Sequence, residues 1–121
     1  MSKMRVSSKS DGIETRIFKL LHRERDALTY YAIAKKLKIP LSTARYFTKR
    51  MAKSGVLVEI EDGKKKLYGL HPVFFNKGFW DNFIANLEGA MKTISHYTLN
   101  YEYNSIDLEY TLKLLIGVLK K

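Results

Sequence analysis

Cationic and hydroxyl side chains recur at helical spacing between residues 42 and 53, and their chemistry is complementary to that of a nucleic acid. Arg45 is the candidate for a base contact, because one guanidinium can bind O6 and N7 of guanine together. Ser42 and Thr43 stand at the predicted start of a helix, where hydroxyl and backbone N–H groups suit phosphate oxygens. Tyr46 is a candidate for contact with a thymine methyl group or a phosphate. The remaining candidates would neutralise phosphate charge, and they are Lys49, Arg50 and Lys53.

Three consecutive lysines form a second candidate contact. They follow Asp62-Gly63, a pair that predicts a tight hairpin turn between two strand-like runs because glycine tolerates positive φ. Flexible ammonium groups at such a tip favour phosphate attraction over sequence reading. These residues are Lys64, Lys65 and Lys66. Alternatives stay open at both places: a solvated helix face, an ion pair of Arg50 within the protein, and lysines that only protect a hairpin edge.

Motifs for catalysis and metal binding are missing from the sequence. The three histidines, His22, His71 and His96, lie far apart without metal-ligand spacing, and the chain has no cysteine. It contains no glycine-rich phosphate loop, no GxSxG motif and no paired-carboxylate motif. We therefore predict no catalytic residue, no metal and no cofactor, and hence no enzyme. Whether a small-molecule effector binds stays open.

A series of predicted helices and strands positions the candidate residues. Asp11 and Glu14 have the spacing of a capping box at a helix start, and Thr29 and Gly55 suit the start and the end of later helices. Ala44, Phe47, Thr48 and Met51 recur at the spacing of a buried helix face. The expected elements are a helix over residues 11–25, a strand edge at 27–28, helices over 30–37 and 41–54 joined by a turn at 38–40, and strands over 56–60 and 65–70.

A second, aromatic region follows residue 72. We expect a long helix over residues 76–96, with apolar side chains that alternate steps of four and three residues, as in a coiled-coil seam. We predict that it holds two copies together, and the candidates are Trp80, Phe83, Ile84, Leu87, Met91 and Ile94. Packing within one chain is the alternative. Residues 96–103 fit either a strand or a helix, and a last helix is expected over 105–120.

The net charge of the chain is concentrated in its first part. The 121 residues carry a formal net charge of +10. Residues 1–72 hold 17 of the 22 basic and seven of the 12 acidic residues, whereas residues 73–121 hold five of each. The excess therefore coincides with the predicted nucleic acid contacts, which general solubility would not require. No apolar run approaches the ~18 residues of a membrane span, and no secretory signal is expected.

The run AIAKKLKIPLSTARYFTKRMAKSGVL resembles the winged helix-turn-helix regulators of the MarR, ArsR and PadR type, and the resemblance extends over about residues 12–72. The matching features are a small residue beside an aliphatic one (Ile33-Ala34), Ser or Thr at the next helix start, and a large apolar residue (Met51) before a Gly-aliphatic strand. The resemblance implies a recognition helix in the DNA major groove and a hairpin wing that reaches a minor groove or flanking phosphate.

Together these patterns predict a mainly α fold with a small β-hairpin wing (α+β): a flexible basic arm over residues 1–10, a winged helix-turn-helix over 11–72 and helical dimerisation over 73–121. The expected function is a sequence-specific, homodimeric regulator of transcription that binds double-stranded DNA in the cytoplasm, associated with the nucleoid, and not a membrane. Two alternatives remain: an architectural or plasmid-partition DNA-binding protein with little sequence preference, and a winged-helix module that binds proteins.

Overall fold

The computed structural model describes residues 6–85 and 108–120, and its side chains over 12–81 and 109–118. Three helices come first and a two-stranded antiparallel hairpin follows, so the predicted mainly α, winged-helix-like α+β fold is confirmed. The elements are α1 (Val6–Glu24), α2 (Tyr30–Leu37), α3 (Leu41–Ser54), β1 (Leu57–Asp62), β2 (Lys65–Leu70), a 3₁₀ turn (Pro72–Phe75), α4 (Lys77–Ala85) and α5 (Leu108–Lys120). Among these described segments, no helix is both long and apolar enough to cross a membrane.

Helix α1 begins earlier than the sequence predicted. Helical backbone starts at Val6 rather than at Asp11, and it is interrupted at Gly12, whose φ of 73° and ψ of 161° are not helical. The polar residues 6–10 were assigned to a flexible arm, but a serine- and lysine-rich composition lowers helix propensity only slightly. The regular part of α1 therefore follows Gly12. The side chain of Asp11 and residues 1–5 of the predicted arm lie outside the described residues.

Helix α2 is fixed at both of its ends. The Oγ1 atom of Thr29 accepts a hydrogen bond of 3.1 Å from the N–H of Ala32, which confirms the predicted N-cap. Lys38 ends α2 in the left-handed conformation, with φ of 57°. Arg16 of α1 donates from Nη2 to the carbonyl oxygen of Leu37 over 2.7 Å, so a guanidinium binds the carbonyl end of α2. The C-terminal end of α2, where the turn to α3 begins, is therefore anchored to α1.

The hairpin turns as tightly as its sequence indicates. Strand β1 pairs with β2 from Leu57 opposite Leu70 to Asp62 opposite Lys65, so Gly63 and Lys64 are the two turn residues. Gly63 has a φ of 64°, whereas Lys64 has no positive φ, which is the pattern of a type II′ turn. The predicted strand edge at 27–28 is present as an isolated bridge between Leu28 and Tyr68. The hairpin is thereby joined to the segment between α1 and α2.

One core lies beneath α3 and the hairpin and continues under α4 and α5. Helix α5 packs on α1, where Leu115 is fully buried and Leu114 nearly so. The last helix is thus present from Leu108, and the rest of its predicted range lies outside the described residues. The fully buried hydrophobic side chains are Ile17, Leu21, Ile33, Ala44, Met51, Val56, Tyr68, Val73, Phe74, Phe79 and Leu115.

Candidate nucleic-acid interface

Helix α3 separates a buried face from a cationic face. Ala44, Thr48 and Met51 are completely buried, and Phe47 is half-buried, as the spacing predicted. Of the predicted contact residues on this helix, only Thr43 is half-buried, whereas the others are exposed: Ser42, Arg45, Tyr46, Lys49, Arg50 and Lys53. With 3.6 residues per turn, five of these six project within an arc of about 100°, and Arg50 lies beside that arc.

Arg50 is directed away from the other cations of α3. Its Nε lies 4.0 Å from Oε2 of Glu14 on α1. Its guanidinium carbon stands 5.6 Å from the centre of the Tyr110 ring on α5. The Tyr110 hydroxyl donates to the same Glu14 oxygen over 3.0 Å. The alternative role considered for Arg50, an ion pair within the protein, is therefore the arrangement that the structure has.

The hairpin lysines also divide into two kinds. Lys66 makes an ion pair of 3.2 Å with Glu59 across the two strands. Its hydrogen bond and charge attraction to Glu59 raise the pKa of Lys66 above its ordinary value. Lys64 and Lys65 are exposed at the tip, and neither makes an ion pair within residues 6–85 and 108–120. Two of the three predicted wing lysines are thus available for an outside anion.

An open aromatic groove separates the beginnings of α2 and α3. It has a volume of about 490 Å³, and its lining is Tyr30, Tyr31, Leu41, Ser42, Arg45, Tyr46 and Lys49. The Tyr30 and Tyr31 rings stack with centroids 4.7 Å apart and planes 20° apart. A hydrogen bond with Tyr30 raises the pKa of the Tyr31 hydroxyl. Tyr31 is 60% exposed and Tyr46 is 58% exposed, so both rings are open to solvent.

The sequence interpretation did not include Tyr30 and Tyr31. The signal that points to Tyr31 is its position on α2, away from the face that carries the buried Ile33 and Ala34. A large aromatic ring on the exposed face of a short helix is unusual for packing, and it is a feature of binding surfaces. The groove brings this ring to the side of α3 that carries Arg45 and Lys49.

Trp80, a predicted dimer residue, packs within its own chain. Its Nε1–H donates to the carbonyl oxygen of Phe74 over 2.7 Å. Its ring meets Phe18 of α1 edge to face, with centroids 6.2 Å apart. Intramolecular packing, the alternative considered for this region, thus describes Trp80. The side chains of Phe83 and Ile84 lie outside the described residues, and so do Leu87, Met91 and Ile94.

The two described histidines have structural surroundings. His22 lies against the carbonyl oxygen of Phe74 at 3.1 Å, so its Nε2 must donate. His71 is fully buried, and its Nδ1 accepts a hydrogen bond of 3.1 Å from the Val73 N–H. Burial lowers the pKa of His71 to about 4, which keeps the ring neutral at neutral pH. Among the described residues, no group of three or more His, Asp or Glu side chains is placed to hold a metal ion.

Comparison with known proteins adds no relative: no family model, no curated protein and no solved structure matches this chain.

Proposed function

We propose that this protein is a sequence-specific, homodimeric transcriptional regulator that binds double-stranded DNA, with α3 in the major groove and the hairpin tip on a flanking phosphate or minor groove. In this proposal Arg45 reads a base and Tyr46 contacts a thymine methyl group or a phosphate. Ser42 and Thr43 bind phosphate at the start of α3. Lys49, Lys53, Lys64 and Lys65 neutralise backbone charge.

The observation that carries the proposal is the separation of buried and exposed side chains onto opposite faces of α3. Ala44, Thr48 and Met51 are completely buried, whereas Ser42, Arg45 and Lys49 are exposed together on the face turned away from the core. A helix presented in this way has the width that the major groove admits. The hairpin adds two exposed lysines without ion pairs among the described residues, which supports a second contact with the phosphate backbone.

The proposal includes a homodimer, a cytoplasmic, nucleoid-associated location and no catalytic activity. Its support for the dimer is the three-and-four spacing of apolar residues between 84 and 94 in the sequence, together with the two-fold symmetry of many DNA sites. Two recognition helices would then read half-sites about 10 bp apart, in successive major grooves.

The test is a fluorescence-anisotropy titration of labelled duplexes at several salt concentrations, with selection from a random-sequence pool alongside. We expect steep salt dependence and an enriched motif. Steep dependence without enrichment would replace the regulator with an architectural or partition protein. No binding at low salt would replace it with a module that binds proteins.

Two variants test the residue roles on the enriched site. Arg45→Ala should cost about 1–3 kcal/mol and relax the choice of base. Lys65→Ala should weaken binding to all sequences alike. If the two variants weaken every sequence equally, Arg45 is not the reader.

A further inference from the structure

Exposed apolar side chains and cations line the groove between α2 and α3, and packing of the fold requires neither of them. Tyr31, Leu41 and Tyr46 place large apolar surfaces in solvent, with exposed fractions of 60%, 42% and 58%. Arg45 and Lys49 line the same groove, and both are exposed. Exposed aromatic rings interleaved with cations are the chemistry that single-stranded nucleic acids meet on their binding proteins.

Fully paired DNA offers these rings no free base face on which to stack. In a duplex the faces of the bases are covered by their neighbours, and α3 reaches only base edges, methyl groups and phosphates. A base that leaves the stack exposes two π faces, and a tyrosine ring can cover one of them. The groove volume of about 490 Å³ lies within the range of about 300–1,000 Å³ that is usual for sites that bind small molecules.

We propose that this groove binds an unpaired base of DNA, which stacks on an exposed tyrosine ring while Lys49 attracts the adjoining phosphate. Tyr31 is the principal stacking residue. The half-buried Tyr30 ring stacks on one face of the Tyr31 ring, with centroids 4.7 Å apart, and so helps to hold it in place. The protein would therefore prefer a duplex with an extrahelical base over a fully paired one.

This inference rests on the proposed DNA binding and adds a preference to it. Since Arg45 and Lys49 belong to both the groove and the outward face of α3, a base in the groove would adjoin the duplex contacted by that face. Arg45 then serves the paired part of the ligand, and Lys49 serves the phosphate beside the unpaired base. Stacking on an aromatic side chain stabilises each bound base by a measurable amount, so one base is enough to test the groove.

The experiment compares three labelled duplexes of the same sequence: one fully paired, one with a single extra thymidine, and one with an abasic residue at that position. The abasic duplex has the same extra phosphate and a similar bend, but no base to stack. We expect the full-length protein to bind the thymidine bulge about ten-fold more tightly than the abasic bulge. That ratio corresponds to about 1.4 kcal/mol.

Variants locate the effect within the groove. Tyr31→Leu should reduce the ratio of the two affinities to near one, whereas Tyr31→Phe, which keeps the ring, should preserve it. Lys65→Ala, at the hairpin tip, is the matched control: it should weaken binding to both bulged duplexes and leave the ratio at about ten. Circular dichroism establishes that each variant is folded.

Equal affinity of the unaltered protein for the two bulges would overturn this inference, whatever the variants do. Binding to the paired duplex would in that case leave the proposed function intact. Binding to the thymidine bulge with the expected ratio, but no binding to paired DNA, would sustain the groove and overturn the proposed function. A ratio that stays near ten in Tyr31→Leu would refute the role of that ring.

Discussion

Lys49 and Arg50 are neighbours on α3, yet replacing each with alanine should have different effects. Lys49 is exposed on the outward face and lines the groove. Arg50 is bound to Glu14 and lies over the Tyr110 ring. Lys49→Ala should therefore reduce the salt dependence of DNA binding, whereas Arg50→Ala should leave it unchanged and lower stability by about 0.5–1 kcal/mol.

The expected size follows from counting cations. Four lysines on the outward face of α3 and the hairpin tip make no ion pair among the described residues and are assigned to phosphates: Lys49, Lys53, Lys64 and Lys65. Each phosphate contact contributes about −0.9 to the slope of log K against log salt, so four give about −3.6 per protomer. Loss of Lys49 should bring the slope to about −2.7. Between 50 and 200 mM salt, affinity per protomer then falls about 40-fold instead of about 150-fold.

The assay is an anisotropy titration of one short duplex at four or more salt concentrations, combined with urea unfolding of each variant. A homodimer on two half-sites doubles both slopes and keeps their ratio. Equal changes of slope in Lys49→Ala and Arg50→Ala would refute the assigned orientation of α3. A slope near zero in the unaltered protein would refute the phosphate contacts altogether.

Three further predictions concern stability. The pKa of His71 is lowered to about 4 in the folded protein, so the unfolded state takes up a proton first as pH falls through about 6.5. Stability should then decrease by about 2 kcal/mol between pH 7 and pH 5 in urea unfolding. Tyr110→Phe removes the hydrogen bond to Glu14 and should lower the free energy of unfolding by about 1 kcal/mol. Lys38→Gly relieves a left-handed residue with φ of 57° and should raise it by about 1 kcal/mol.

Each of these has a matched control. His71→Gln should lose most of the pH dependence, and its persistence would show that another group titrates. Glu109→Gln breaks only the exposed pair with Lys113 and should change stability by less than about 0.5 kcal/mol. An equal loss in Tyr110→Phe and Glu109→Gln would contradict the role given to the Glu14 contact. Destabilisation by Lys38→Gly would mean that the lysine side chain matters more than its backbone conformation.

The helix-turn-helix and the hairpin were predictable because their signals are local. Thr29 caps a helix within three residues, and Gly55 and Gly63 mark positions of positive φ. The buried face of α3 followed from helical periodicity alone. Local signals missed the helical backbone of residues 6–11, whereas the regular helix after Gly12 begins close to the start predicted at Asp11.

The details of the site were not predictable because they depend on tertiary packing. Glu14 and Tyr110 are 96 residues apart in sequence, so no spacing rule could associate Arg50 with either. The presence of Tyr31 and Arg45 in one groove depends on how α2 packs against α3. Trp80 matched a coiled-coil spacing, but core contacts and a dimer seam use the same apolar periodicity. The sequence therefore identified the cationic side chains of the candidate interface, and the structure showed which of them form ion pairs within the chain.

The most direct test of the central claim is chemical-shift mapping of the ¹⁵N-labelled protein with a short duplex. The amides of Ser42, Arg45 and Lys49 and those at the hairpin tip should shift together in a salt-dependent way. Those around Ile116, which is 55% exposed on α5, should not. Shifts confined to α5, with α3 and the hairpin unchanged, would contradict the assignment of α3 as the helix that contacts DNA.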